Sequence, residues 1–230
     1  MTLPADVPGE QTPGLPPLPV RAVKVLVSPG ALFAQLKAVP VWFWTMLATA
    51  VVSGISVWFI PDEAWTTFFR EQALERGQGD LSTIPQPGPA FRMLGSLGAA
   101  VSIFILGVLL ACFTYGVFVF VLGDEATFKQ HLSVIAHASV IPAIGAFATL
   151  PLRIAQLDPQ LTLSVGTLFP FLPEGYFFSV LQALDLFALW AAVLTGLGMS
   201  VLDSRRSWGS GASVMIGLTV AFAMVVGFFA

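Results

Sequence analysis

Long uncharged apolar runs alternate along the chain with shorter segments that collect most of its charges and prolines. Val41 to Ile60 carries no charge and is closed by Pro61-Asp62. About 20 residues at 1.5 Å rise match a hydrocarbon core of about 30 Å. Trp42 and Trp44 at one end and Trp58 near the other suit the two interfaces. Met93 to Leu122 is a second uninterrupted run. As a helix of about 45 Å it exceeds the bilayer core and must tilt, kink or project, with Gly95, Gly98, Gly107 and Gly116 as places to bend. A third run covers His131 to Leu150, with Pro142 near its middle, where the freed carbonyl needs a neighbour. Phe177 to Leu202 and Gly211 to Phe229 follow, and no C-terminal domain is expected beyond the last run. The pattern predicts an all-α, polytopic membrane protein, a bundle of five transmembrane helices over about 41–60, 93–122, 131–150, 177–202 and 211–229.

The connecting segments carry their own signals. Residues 1–20 hold Pro4, Pro8, Pro13, Pro16, Pro17 and Pro19, with neither an apolar stretch nor an early positive charge. That reads as a disordered, proline-rich tail, not a signal peptide. Ser28-Pro29 reads as an N-cap with proline in the first turn. Leu32, Phe33 and Leu36 then recur at helical spacing up to Lys37. This short N-terminal helix is expected at the interface, its apolar face either in the headgroup layer or against the protein's own cytoplasmic face. Asp62 to Arg76 reads either as an amphipathic helix, with Trp65, Phe68, Phe69 and Leu74 on or near one side, or as an ordinary solvated connector. Residues 77–89 read as a Gly/Pro-rich loop, and 151–175 as an apolar loop hugging the membrane surface.

Composition excludes whole classes of function. The 230 residues are 56% hydrophobic and 10% charged, where a soluble domain carries about 25% charged residues. A net charge of -3 without a basic patch argues against nucleic-acid binding. The single cysteine, Cys112, permits no disulfide within the chain and reads as a small apolar packing residue. Arg21, Lys24, Lys37, Lys129, Arg205 and Arg206 fall on one side of the expected topology, and Arg70, Arg76, Arg92 and Arg153 on the other. That bias places the N-terminus in the cytoplasm and the C-terminus on the opposite side. Small residues one turn apart, Ala50/Gly54, Gly95/Ala99, Ser139/Ala143, Gly196/Ser200 and Gly217/Ala221, offer close packing in every span.

Few polar residues lie inside the apolar runs. Asp185 is the one acid deep in a span, and a charged group at a helix centre costs on the order of 2.5–3.5 kcal/mol on insertion scales. It needs a partner, water or a proton, and Gln182 three residues earlier shares its face. Asp185 is read either as part of an ion pathway or as hydrogen-bonding glue between helices. His137 lies in the third span between Ser133 and Ser139, but simple depth counting puts it and Asp185 roughly 7 Å on opposite sides of the midplane. His131 and His137 lack the four-residue spacing of helical metal ligands. Lys129 and His131 read as interfacial anchors. No phosphate loop, nucleophile elbow or paired catalytic carboxylates appear, so neither catalytic residues nor a cofactor or metal are expected.

Specific segments add a family. Phe128-Lys129-Gln130 followed by Ser133-Val134-x-Ala136-His137-Ala138-Ser139 resembles the third-span entry of bacterial members of the Yip family, Ypt/Rab-interacting multi-pass membrane proteins. Phe171-Leu172-Pro173, Leu184-Asp185-Leu186-Phe187-x-Leu189-Trp190, Gly198 with Ser200, and the opening Leu26-x-Ser28-Pro29-x-x-x-Phe33-x-x-Leu36 are similar too. The resemblance covers about residues 22–229 and implies a five-span Yip-like domain with a cytoplasmic N-terminus. Eukaryotic relatives serve vesicle trafficking through small GTPases and partner membrane proteins, without catalysis. The short polar tail and minimal loops suit a bacterial-type member in the cell (inner) membrane.

Two functions follow as expectations. The first is a non-catalytic scaffold or adaptor whose partners are the lipid bilayer and other membrane proteins or further copies of itself. The alternative is a small transporter or channel using Asp185 with His137 or Gln182, which the odd span count and scarce intramembrane polar groups disfavour.

Overall fold

Prolines and capping residues set the helix boundaries in the computed structural model, which describes residues 14–78, 84 and 86–229. Its α-helices, in chain order, are α1 (Leu18–Val27), α2 (Pro29–Ala38), α3 (Phe43–Trp58), α4 (Asp62–Glu75), α5 (Pro89–Tyr115), α6 (Phe128–Ala138), α7 (Val140–Gln156), α8 (Tyr176–Ala183), α9 (Leu186–Leu202) and α10 (Trp208–Phe228). α1, α2 and α5 carry proline in their first turn, where the missing N–H costs no hydrogen bond. α6 starts with a capping box, Thr127 accepting from the Gln130 backbone while the Gln130 side chain accepts from that of Thr127.

Three helical stretches are long and apolar enough to cross a membrane, Pro89–Val121, Phe128–Gln156 and Trp208–Phe228. α3 and α4 make a fourth only if taken as one span bent by 81°. The chain is an all-helical, multi-pass membrane protein. Among the described residues, three or four helical stretches are long and apolar enough to cross, against the five expected. The bend between α3 and α4 falls at Pro61, which cannot donate to a continuing helix. α4 then runs as the expected aromatic-faced helix, with Trp65 and Phe69 against Phe91 of α5 at ring distances of 5.4 and 5.6 Å. Arg92 reaches Asp62 at 3.1 Å and stacks over Trp58 at 5.6 Å.

Several boundaries differ from expectation for identifiable reasons. α1 begins at Leu18, inside the stretch read as tail; residues 1–13 of that stretch lie outside the described residues. The third run breaks at Ser139, between α6 and α7, because Pro142 has no N–H for the Ala138 carbonyl. α7 carries Pro151 within it and ends at Gln156, so the loop begins later than expected, at Leu157 in the left-handed conformation. The fourth run is not one helix at all: α8 and α9 are separated at Leu184-Asp185, leaving an α9 of 17 residues. The long second run does deform at Gly116, where α5 passes into six residues of π-helix.

The short helix α2 chooses the protein over the lipid. Leu32, Phe33 and Leu36 are fully buried in a cluster with Met46, Leu132 and Met199, from α3, α6 and α9. The headgroup-layer alternative is thereby corrected: three apolar side chains on one face find a closed apolar partner there, which the interface cannot offer. Helices meet closely where glycine permits. A Cβ on Gly196 of α9 would run into the backbone of Gly211 and Ala212 of α10, and one on Gly54 of α3 would sit 2.9 Å from the Ser96 carbonyl of α5. α5 leaves Leu94, Leu97, Val101, Ile105, Leu106 and Leu109 uncovered, and Cys112 is exposed beside them rather than packed.

Candidate functional site

The break in the fourth apolar run is held from both sides. Asp185 has extended backbone and is the N-cap of α9, its carboxylate accepting from the Ala188 N–H at 2.7 Å. The loop after α7 returns to pair with it. Val165 N–H donates to Leu184 O and Leu186 N–H to Leu163 O, both at 2.8 Å, around the Ser164–Asp185 bridge. The buried Ser164 hydroxyl donates to Gln182 Oε1 at 3.1 Å, and Arg153 Nε secures the loop at the Leu161 carbonyl, 2.9 Å away. Gly166 allows this approach, since a Cβ there would lie 3.0 Å from Gln182.

Asp185 is therefore not a mid-helix acid. An N-cap carboxylate satisfies an orphan amide and faces the positive end of the helix dipole. Asn caps as well as Asp, so Asp185→Asn is expected to leave thermal stability within a few tenths of a kcal/mol, while Asp185→Ala lowers it by about 1 kcal/mol. Parallel unfolding curves of the two variants in one detergent check this.

His137 sits in a second cluster, and Asp185 is not among its hydrogen-bond partners. Its Nε2 lies 3.1 Å from both Arg21 of α1 and Thr45 of α3. Arginine has no acceptor, so Nε2 carries the lone pair and Nδ1–H donates to the Ser133 carbonyl at 2.8 Å. One side chain thus ties α1, α3 and α6. His131, expected as an interfacial anchor, is 1% exposed. Its Nδ1 is 3.4 Å from Thr114 Oγ1 and its ring meets Tyr115 edge-on, which turns it into the core between α5 and α6. Lys129, by contrast, is exposed beside Trp42 and Trp44. Gln182 borders an open cleft of about 1170 Å³ between α8 and α10.

At the same end of the bundle as Lys129, an ion pair and a carboxylate-to-amide bond join the loops that precede α6 and α10. Buried Asp124 takes a two-pronged contact from Arg206, whose guanidinium also lies 5.2 Å over Phe118. Asp203, also buried, is paired with Arg205 and accepts from the Glu125 N–H at 2.8 Å. In sequence Arg205 and Arg206 mark only the side of the membrane; which carboxylate each one meets is set by the fold. Bonds from Arg205, then the Arg205 and Glu125 amides, hold the Asp203 carboxyl below the usual carboxylate range. A depressed pKa contributes stability that is complete above the ordinary value near 4 and fades as pH falls below it. Melting temperature is expected to drop on acidification below about pH 4, and Asp203→Asn to flatten that drop.

Among the described residues no three His, Cys, Asp or Glu side chains gather as a metal site. Asp185, His137 and Gln182 are each engaged by a neighbour within the fold. A family model, the Yip1 domain, matches residues 23–230. Neither the curated proteins nor the solved structures give a match.

Proposed function

The chain belongs to the Yip1-domain family, and from that premise we propose that it is a non-catalytic scaffold or adaptor for membrane organisation or for partner membrane proteins. The observation that carries this reading is the engagement of the intramembrane polar side chains. Asp185 caps α9, Gln182 accepts from Ser164, and His137 is held by Arg21, Thr45 and Ser133. A proton or ion relay needs such groups in line with one another, and here Asp185 and Gln182 hold the α8–α9 break while His137 ties α1, α3 and α6 elsewhere.

The proposed topology has five crossings: α3, α5, the α6–α7 pair, α9 and α10. The helices α3 and α9, with 16 and 17 residues, reach only about 24–26 Å. Local thinning of the bilayer covers that mismatch. The face bearing Lys37, Lys129, Arg205 and Arg206 is assigned to the cytoplasm. The uncovered apolar face of α5 is then the surface offered to a neighbour, either another membrane protein or a second copy.

Photo-crosslinkers placed singly at Leu97, Ile105 and Leu109 in native membranes test the reading. A small recurring set of membrane-protein adducts, shared by the three positions, is the expected result. Adducts to lipid alone at all three would remove the adaptor.

A further inference from the structure

Among the described residues, Arg21 is a buried cation without an anionic partner. It is 8% exposed, its guanidinium meets only His137 at 3.1 Å and Thr45 at 3.5 Å, and its Nε has no hydrogen-bond partner. Among the described residues its only side-chain partners are these two neutral groups. Desolvating a guanidinium outweighs what two neutral hydrogen bonds contribute. Of the described carboxylates in the loops before α6 and α10, Asp124 is taken by Arg206, Asp203 by Arg205, and exposed Glu125 lies 3.6 Å from Arg205. Among the described residues, Arg21, Lys24, Lys37 and Lys129 leave this end of the bundle with an excess of positive charge.

The space beside Arg21 is shaped for more than a free ion. It opens on a cavity of about 240 Å³ that it shares with Lys129 and with Trp42, Phe43 and Trp44. Ala22, next to Arg21, and Thr45, its hydrogen-bond partner, also line a groove of about 710 Å³ between α1, α3 and α7. Apart from Thr45 and Thr49 the groove is wholly apolar, walled by residues such as Leu18, Val52 and Phe147. Its walls from Thr45 to Val52 and from Val140 to Ala148 run for about 10–12 Å. That is the depth over which the upper part of an acyl chain lies below its headgroup, and the tryptophans sit at the level where aromatic side chains mark the interface.

We propose that this pocket and groove bind one anionic glycerophospholipid, its phosphate on Arg21 and Lys129 and one acyl chain between α1, α3 and α7. Arginine presents a planar fork to phosphate oxygens, and Lys129 adds a point charge at the mouth. The assignment rests on the membrane placement of the chain and not on the adaptor reading.

Native mass spectrometry of the purified full chain in detergent tests it, with phosphatidylglycerol, phosphatidylcholine and inorganic phosphate as parallel ligands. Phosphatidylglycerol is expected to bind in preference to phosphatidylcholine, with no retention of inorganic phosphate. Lys129→Gln, a change at an exposed side chain, should weaken phosphatidylglycerol about fivefold, the effect of one basic residue at an anionic surface. Arg21→Gln should weaken it by about tenfold or more, as expected for a charge-assisted pair. Should Arg21→Gln fail to fold, Ala48→Phe, which fills the groove without touching the guanidinium, carries the test by reducing retention of the lipid. Equal binding of the two lipids, or phosphatidylglycerol binding unchanged in both Lys129→Gln and Ala48→Phe, would overturn the site. Retention of inorganic phosphate as strong as that of the lipid would overturn the acyl groove.

Discussion

Gly196→Val is expected to destabilise the bundle by about 3 kcal/mol, the upper part of the range for overpacking a tight interface. A Cβ at Gly196 meets backbone, not a movable side chain: the Cα and N of Ala212 would both lie 2.6 Å away, and the Gly211 carbonyl closer still. Helices α9 and α10 can accept it only by moving apart, and Gly198, on the opposite face of α9, is already packed closely on Val134 of α6, so α9 has little room to retreat. In lipid no hydrophobic gain between helices offsets such a loss, because lipid tails solvate an apolar face as well as a neighbour does. Gly217→Val is the matched control. Beyond its own turn of helix nothing lies within 4 Å of a Cβ at Gly217, so its effect should stay within about 0.5 kcal/mol. Equilibrium unfolding of both variants in mixed micelles measures the contrast.

Arg206→Ala should cost a comparable amount, about 3 kcal/mol, because it leaves Asp124 buried without its partner. The pair joins the loop before α6 to the loop before α10, and its loss also removes the stacking of Arg206 on Phe118. Combining Arg206→Ala with Asp124→Asn is expected to recover much of the loss, since the unpaired charge disappears with the second change. A double-mutant cycle on melting free energies reads the coupling, and purely additive effects would mean the pair is solvated and structurally idle.

Periodicity located the apolar segments because burial in lipid demands unbroken apolar sequence, and helices α3, α5 and α10 lie where those runs predict. The amphipathic reading of 62–76 likewise matches α4, since Trp65, Phe68 and Phe69 cluster on the helix. The α8–α9 break escaped detection because an apolar run shows hydropathy, not hydrogen bonding. The one local signal was Asp185 itself, which suits an N-cap better than a helix interior. The pairing loop that stabilises the break comes from Leu163 to Val165, about 20 residues earlier in the chain, and no local pattern announces it. Arg21 and His137 are separated by 116 positions. Their contact depends on how α1 is laid against α6, so the sequence exposes each as a lone polar residue without showing that they share a site. The small-residue pairs divided the same way: Gly54 and Gly196 do sit at close approaches, whereas Gly217 faces open space.

Proton and cation flux in proteoliposomes, measured for the unaltered chain and for Asp185→Asn, puts the structural role of the intramembrane polar residues to the most direct trial. Flux no greater than in protein-free vesicles, for both proteins, is the expected outcome. Flux well above that background in the unaltered chain, abolished in a correctly folded Asp185→Asn, would contradict it and make the capping acid a conducting one.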